Sequence, residues 1–177
     1  MSMQLSDATE LIQKINISTR VSQVWVDLGC GDGLFTRALA TLLPEKSTVY
    51  AIDKLNNLLN KNVPGRTIIF QKADFEKEEL VLPKLDGILM ANSLHYVSNQ
   101  KIFIEKLLSK LNTGNTSLVF IEYDMDTSNS WVPYPLSFVS LQKLIKSIGL
   151  APLQKLGEKK SIYQRANIYA SQVLIPN

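Results

Sequence analysis

The sequence predicts an α/β fold: a doubly wound sheet of seven strands, mostly parallel, with helices on both faces and an antiparallel hairpin at its C-terminal edge. Two observations predict it. Short runs rich in β-branched and aromatic residues alternate with segments of helical period along the 177 residues. A glycine-rich turn also joins the first predicted strand to the helix after it, and doubly wound folds receive their ligands at such turns.

Seven short apolar segments are predicted as strands. Five of them should form the parallel part of the sheet: residues 21–27, 48–53, 67–72, 87–92 and 117–124. The link between the third and fourth strands is short and broken, so we expect one helical turn there at most. Residues 151–156 and 167–175 predict two final strands around a charged turn at 157–160, which would close one edge of the sheet as a hairpin.

Apolar residues spaced three and four apart predict four helices. The members of the four apolar stripes are Ala8, Leu11, Ile12 and Ile15; Phe35, Ala38, Leu39, Leu42 and Leu43; Ile104, Leu107, Leu108 and Leu111; and Leu141, Leu144, Ile145 and Ile148. The first helix should begin behind Asp7 and Glu10, a capping-box pattern with Asp in the place of Ser or Thr. Gly149 follows the last stripe as a helix stop.

Composition predicts one globular domain over residues 1–177, with 45% hydrophobic and 20% charged residues. No apolar run approaches the roughly 18 residues of a membrane span, and the N-terminus lacks the features of a secretory signal. We therefore expect a cytoplasmic protein that does not enter a membrane. The single cysteine, Cys30, and the single histidine, His95, leave no internal disulfide and no zinc cluster, so no metal site is expected.

The net charge of +3 is mildly basic, but the basic residues are scattered among 16 acids. Their densest group lies near the C-terminus and consists of Lys155, Lys159, Lys160 and Arg165. We interpret this group as the solvated edge of the predicted hairpin. Nucleic acid is therefore not indicated as a partner.

The glycine-rich turn predicts a ligand that carries both charges. Its three glycines alternate in the stretch VDLGCGDG: Gly29, Gly31 and Gly33. Helix N-terminal amides face outward there, which favours an anionic group on the ligand. A dinucleotide loop would have its third glycine at the position of Leu34, and Asp27 would repel a pyrophosphate but attract an ammonium group.

Acids that end the next two strands complete the pattern of a nucleoside site. Asp53 ends the second strand, where a carboxylate accepts hydrogen bonds from both ribose hydroxyls. Asp74 and Phe75 follow the third strand, where they are able to accept from an exocyclic amine and to pack on a purine face. The pattern thus offers contacts for each part of such a ligand: its amino acid, its ribose and its adenine.

The motifs VDLGCGDG, YAID, KADF and LDGILMANSLHYV resemble, in order and spacing, those of class I S-adenosylmethionine-dependent methyltransferases, over about residues 21–124. MANSLHYV followed by VFIEYD and WVPYP also resembles a small bacterial subgroup of these enzymes. The resemblance implies a Rossmann-like fold, S-adenosylmethionine as cofactor and S-adenosylhomocysteine as product. It implies cofactor-binding roles for these residues: Asp27, Gly29, Gly31, Gly33, Asp53, Lys54, Asp74, Phe75 and Asn92.

The sequence does not specify a catalytic residue, because methyl transfer mainly requires that the acceptor be aligned with the methyl group and shielded from water. A base matters only when the acceptor has a proton to lose. The catalytic candidates are His95, Tyr123, Asp124 and Trp131, with Glu122 as another proton acceptor and Tyr134 as another aromatic wall. For Tyr96 a role in the core and a role in the pocket wall are both open. Tyr163, near the predicted hairpin turn, is not among the candidates.

Structural roles are open alternatives for several of these residues. His95 would then be a satisfied core histidine, Asn92 would bond backbone at a turn, and Phe75 would fill the core. The aromatic and proline residues after the fifth strand would simply fix that loop.

We expect a small-molecule acceptor, held by residues 123–140 and the N-terminal helix. The sequence has no Asn/Asp-Pro-Pro-aromatic signature after the fourth strand, and its length leaves no appended recognition domain. A homodimer that completes the site, and an RNA or protein acceptor, stay open. Two other functions compete: an NAD-dependent oxidoreductase, which the glycine spacing disfavours, and a non-catalytic cofactor-binding or assembly protein on the same fold.

Overall fold

The computed structural model describes residues 3–18, 20–56, 62–160 and 166–176. The elements within these ranges are α1 (Leu5–Ile12), β1 (Val24–Leu28), α2 (Leu34–Leu42), β2 (Thr48–Asp53), β3 (Thr67–Lys72), β4 (Gly87–Ala91), a 3-10 turn (Leu94–Tyr96), α3 (Gln100–Leu108), β5 (Thr116–Tyr123), α4 (Phe138–Ser147), β6 (Gln154–Lys160) and β7 (Asn167–Ile175). Among the described helices, none has the length and apolar character needed to cross a membrane.

The seven strands form one sheet in the order β3-β2-β1-β4-β5-β7-β6. The first five strands are parallel to one another, and β7 pairs antiparallel with both β5 and β6. This arrangement confirms the predicted mostly parallel sheet with its C-terminal hairpin. The strand order reverses between β1 and β4, and a ligand crevice forms at the carboxyl ends of the strands at such a reversal.

Helices cover both faces of the sheet because the strand side chains alternate between two apolar clusters. Trp25 packs with α1 and α2 on one face, while Val26 packs with α3 and α4 on the other. Trp25 also explains a glycine in the neighbouring strand, since a Cβ atom at Gly87 would lie 2.5 Å from its ring.

The first helix begins earlier than the sequence predicts. The backbone N–H of Gln4 donates a hydrogen bond of 3.1 Å to Asp7 Oδ2, and α1 starts at Leu5. Asp7 is therefore the third helical residue and not the cap, so the predicted capping box at Asp7 and Glu10 was wrong in position. Both carboxylates instead reach across to β6, where they pair with the ammonium group of Lys159.

The predicted turn at residues 157–160 was also wrong, because these residues belong to β6. A Cβ atom at Gly157 would lie 2.7 Å from the backbone oxygen of Leu11, so this glycine serves the close approach of α1 and not a turn. Lys155 pairs with Glu158 at 2.8 Å on the same strand. Tyr163 and Arg165 lie outside the described residues.

Candidate active site

The loops after β1, β2, β4 and β5 meet at the carboxyl ends of the central strands. The glycine loop after β1 is fixed from below, since the backbone N–H groups of Gly29 and Cys30 both donate to Ile52 O, at 2.8 and 3.0 Å. Ser93, in the loop after β4, donates to Leu28 O at 2.6 Å. These bonds hold the β1 and β4 loops against each other, so that they form one wall of the crevice.

Glycine occupies the positions of this loop for different physical reasons. Gly29 has φ +80°, and a Cβ atom there would lie 2.5 Å from Ser93 Cβ, so the packing of the loop requires glycine. Gly31 has φ +54°, but a Cβ atom there would meet nothing within 4 Å. Gly31 therefore turns its backbone toward open space, where a ligand would lie. Gly33, with φ +83°, precedes the first residue of α2.

Asp53 joins the end of β2 to this loop. Its Oδ2 accepts the backbone N–H of Gly31 at 2.9 Å, and its Oδ1 accepts the backbone N–H of Leu55 at 2.8 Å. Each carboxylate oxygen keeps a further lone pair, so the group remains able to accept from ribose hydroxyls. Lys54 is exposed beside it.

Asp27 lies under the glycine loop, with no exposed surface. Its Oδ2 accepts a hydrogen bond of 2.6 Å from Thr36 Oγ1, while its Oδ1 has no hydrogen-bond partner among the described residues. Burial raises the pKa of Asp27 to about 7, the Thr36 hydroxyl opposes that rise, and the charge of Asp53 adds to it.

The residues after β3 form the rim of the crevice. Asp74 Oδ1 accepts the backbone N–H of Glu76 at 3.2 Å, and the Lys77 ammonium lies 3.8 Å from Oδ2. Phe75 packs on Phe103, with ring centroids 5.8 Å apart. The edge of the Phe75 ring also borders Gly29, so the glycine loop and the rim are in contact.

Asn92, directly after β4, has an unusual backbone and an unused oxygen. It adopts φ +52° although it is not glycine, and its backbone N–H donates to Ile121 O at 2.8 Å. Its Oδ1 is buried and has no partner among the described residues. A buried oxygen of this kind requires a donor, and a ligand ammonium is one. Together with the open backbone at Gly31, this oxygen fits a zwitterionic nucleoside such as S-adenosylmethionine.

His95 and Glu122 form a buried pair at the ends of β4 and β5. Glu122 Oε2 lies 2.5 Å from His95 Nδ1, and Glu122 Oε1 accepts the backbone N–H of His95 at 3.2 Å. The side chains of His95 and Glu122 are 2% and 1% exposed, so the pair is shielded from solvent. Sequence reasoning considered each residue separately and missed the pairing. The available signal was that His95 follows β4 while Glu122 lies near the end of the neighbouring parallel strand β5, with Ala91 opposite Ile121.

The structure brings only some of the other catalytic candidates to His95. The ring of Tyr96 lies 4.4 Å from its imidazole and that of Tyr123 lies 6.4 Å away. Asp124 faces the start of α4 instead, where its Oδ1 accepts the backbone N–H of Phe138 at 2.8 Å. Trp131 is 72% exposed.

Tyr134 lies beside the His95 backbone, because its N–H donates to His95 O at 3.0 Å. Gln100 also donates to Tyr134 O at 2.9 Å, which holds the loop after β5 against the start of α3. Within the described residues, no group of three His, Cys, Asp or Glu side chains is arranged to hold a metal ion.

The fold is shared with solved methyltransferase structures of low sequence identity. An S-adenosylmethionine-dependent methyltransferase from Aquifex aeolicus superposes with a TM-score of 0.64 at 18% identity, covering 98% of this chain and 100% of that one. Human N-acetylserotonin methyltransferase in complex with S-adenosylmethionine gives 0.68 at 16% identity, covering 97% and 52%. An arsenic(III) S-adenosylmethionine methyltransferase from Chlamydomonas reinhardtii gives 0.67 at 13% identity, covering 96% and 73%.

The sheet order, the glycine loop and the acids at the strand ends define a class I S-adenosylmethionine-dependent methyltransferase, with S-adenosylmethionine as its cofactor. The chain belongs to the family described as a methyltransferase domain, whose model matches residues 4–161. No curated protein matches the sequence. The family match confirms the class and the enzymatic activity that the sequence motifs predict, while the roles of the individual site residues stay predictions.

Proposed function

We propose that the protein transfers a methyl group from S-adenosylmethionine to a small-molecule acceptor that has a proton to lose, and that His95 accepts this proton. The buried pair of His95 and Glu122 is the observation that carries the proposal. A carboxylate held 2.5 Å from Nδ1 fixes the orientation of the imidazole and offsets the charge that the ring gains with the proton.

Several residues at the crevice are suited to hold the cofactor, which supplies an electrophilic methyl group on a sulfonium. Gly31 offers open backbone, Asp53 offers lone pairs to the ribose hydroxyls, and Asn92 Oδ1 offers an acceptor to the ammonium group. Asp74 and Phe75 border the place proposed for adenine. These residues bind and orient, and none of them has to react.

His95 is the residue suited to proton transfer. A hydrogen bond from Nδ1–H to the Glu122 carboxylate leaves Nε2 as the ring nitrogen that can accept a proton. The two ring nitrogens lie on opposite sides of the imidazole, and Nε2 is therefore the base. Glu122 acts as a positioning residue through the ring.

A small molecule is the acceptor that the site supports best. Tyr96 and Tyr134 are half-exposed, the Tyr96 ring lies 4.4 Å from the His95 imidazole, and the Tyr134 backbone is bonded to His95. This arrangement suits the enclosure of a small ligand and the exclusion of water. Two structural relatives are also named for small acceptors, N-acetylserotonin and arsenic(III). The buried free Cys30 suits a reducing compartment, and we propose the cytoplasm.

Calorimetry followed by labelled methyl transfer tests the proposal. We expect S-adenosylmethionine and S-adenosylhomocysteine to bind and NAD not to bind. Label from S-adenosylmethionine should then enter a protein-free metabolite extract. His95→Gln should lower transfer by about 100-fold or more while cofactor affinity is kept, as expected when a general base is lost. Cofactor binding without transfer to metabolites, RNA or protein would instead support the non-catalytic binding protein.

A further inference from the structure

We propose that Ser93 makes the cofactor site select adenine nucleosides that carry an amino-acid tail over those that lack one. Ser93 is a positioning residue. It anchors the turn after β4 to the end of β1, and it thereby holds Asn92 where its side-chain oxygen is able to accept from an ammonium group. The inference rests on the proposed function, and it assigns the recognition of the cofactor's tail to a side chain that does not touch the cofactor.

The hydroxyl of Ser93 connects two strands beyond their last paired residues. The pairing of β1 with β4 ends at Asp27 and Leu89. Four positions beyond Leu89, Ser93 Oγ donates to Leu28 O at 2.6 Å, and Ser93 is only 3% exposed. A hydrogen bond that is shielded from water is electrostatically stronger than one at the surface. Ser93 therefore joins β1 to β4 at the edge of the sheet where the crevice lies.

The position of Ser93 favours a small side chain. A Cβ atom at Gly29 would lie 2.5 Å from Ser93 Cβ and 3.2 Å from Ser93 Oγ, so the serine lies directly against the backbone of the glycine loop. A larger side chain at this position would push the loop away. Alanine would fit the space but would remove the donor to Leu28 O. Serine satisfies both requirements, which are close packing and a hydrogen bond.

Asn92 is held between two anchors, one on each side of β4. Its backbone N–H donates to Ile121 O at 2.8 Å on the β5 side, and the next residue, Ser93, is bonded to Leu28 on the β1 side. Between these anchors Asn92 has φ +52°. Such a conformation costs free energy in a residue other than glycine, and it persists where the surroundings impose it. Loss of the Ser93 bond should therefore allow the backbone of Asn92 to relax.

This relaxation would move the atom proposed for the ammonium group of the cofactor. Asn92 Oδ1 is buried and has no hydrogen-bond partner among the described residues, so no bond of its own holds it in place. The residues proposed for ribose and adenine, Asp53 and Asp74, lie at the ends of β2 and β3 and are held by other bonds. Loss of the Ser93 hydroxyl should therefore weaken binding of the tail and leave binding of the nucleoside unchanged.

Two ligands that differ in the tail test the inference. Wild type and Ser93→Ala are titrated with S-adenosylhomocysteine and with 5′-methylthioadenosine, which has the same nucleoside and a thioether but no amino-acid tail. Calorimetry measures the first affinity, and the rise of the thermal midpoint with ligand concentration measures the second. Ser93→Ala should bind S-adenosylhomocysteine about tenfold more weakly, as expected for one lost hydrogen bond, and 5′-methylthioadenosine within about twofold of wild type.

The other outcomes contradict the inference in distinguishable ways. Equal losses for both ligands, or full affinity of Ser93→Ala for S-adenosylhomocysteine, would overturn the role of Ser93 and leave the proposed function standing. Absence of S-adenosylhomocysteine binding to the wild-type protein would overturn the proposed function itself. If Ser93→Ala does not fold, Ser93→Cys keeps a weak donor and should show a smaller loss of the same kind.

Ser171→Ala is the matched control. Ser171 is also fully buried, and its hydroxyl also donates to a strand carbonyl, Phe120 O at 3.2 Å. It lies in β7, which β4 and β5 separate from β1. Ser171→Ala should therefore keep its affinity for both ligands.

A double-mutant cycle tests whether Ser93 acts through Asn92. Asn92→Gly removes the side-chain oxygen and tolerates the positive φ, so it should fold and lose affinity for S-adenosylhomocysteine by itself. Adding Ser93→Ala to Asn92→Gly should then lower that affinity by less than about twofold, because the group that Ser93 positions is already absent. If the two losses multiply, Ser93 acts by another route and the inference fails.

Discussion

The backbone N–H of Gly31 donates to Asp53 Oδ2 at 2.9 Å, so the carboxylate that we propose for the ribose also fixes the glycine loop. The loop after β1 and the end of β2 are thereby coupled. A substitution at Asp53 should therefore weaken the binding of two parts of the cofactor, its amino-acid tail and its sugar.

Replacing Asp53 with Ala should weaken binding of S-adenosylmethionine by roughly 2–3 kcal/mol, because charge-assisted hydrogen bonds to both hydroxyls are lost. Isothermal titration calorimetry measures the change. Asp53→Asn keeps an acceptor for Gly31 and should lose less. Glu105→Ala, on the exposed side of α3, is the control and should keep its affinity; unchanged affinity in Asp53→Ala would refute the ribose role.

Gly31→Val and Gly29→Ala should fail in different ways. The Cβ position of Gly31 is open, so Gly31→Val should fold, with a cost of about 1–2 kcal/mol for the positive φ, and lose cofactor binding. Gly29→Ala should be the less stable protein, because its Cβ would collide with Ser93. Thermal unfolding and calorimetry separate the two effects. If Gly31→Val kept its affinity for S-adenosylmethionine, the loop would be a simple turn with no role in binding.

The burial of Asp27 should make stability depend on pH. Its pKa is raised to about 7 in the folded protein, so between about pH 4 and pH 7 the folded state keeps a proton that the unfolded chain has lost. The free energy of unfolding should fall as the pH rises through that window, by on the order of 4 kcal/mol in total. Denaturant titrations at a series of pH values measure the slope.

Two variants check that Asp27 causes the slope. Asp27→Asn should flatten it, because the amide carries no titrating charge. Thr36→Val should extend the fall in stability to higher pH, because the hydroxyl that favours the carboxylate is removed. A pH dependence that stays the same in both variants would assign it to another group.

Trp131→Ala should lower turnover more than cofactor affinity, because Trp131 lies in the loop after β5 and not at the glycine loop. We expect the KM for the acceptor to rise and the Kd for S-adenosylmethionine to stay within about twofold. Steady-state kinetics and calorimetry on the same preparation compare the two. Equal losses in both quantities would remove Trp131 from the acceptor side.

The strands, the glycine loop and the C-terminal hairpin could be predicted because they depend on local patterns, such as period-two apolar runs and alternating glycines. The start of α1 and the extent of β6 could not. Asp7 pairs with Lys159 of β6, and Gly157 of β6 lies against Leu11 of α1, so both positions depend on contacts between distant parts of the chain. Local propensity carries no information about such contacts.

In the candidate site, too, local patterns could be predicted and long-range contacts could not. The positions of Asp53 and Asn92 were predictable because Asp53 ends β2 and Asn92 directly follows β4. The bond between His95 and Glu122 depends on the register of β4 against β5 and on the 3-10 turn that folds His95 back over the strand end, and neither is encoded in residue spacing. The same holds for Asp27, whose complete burial follows from how α2 packs through Thr36.

The salt links between α1 and β6 join Lys159 to Asp7, 152 positions apart. On the ribosome α1 is therefore made well before β6, and in the meantime it can pack on α2. A polypeptide released before β6 would leave uncovered the part of α1 that packs against Leu156 and Gly157.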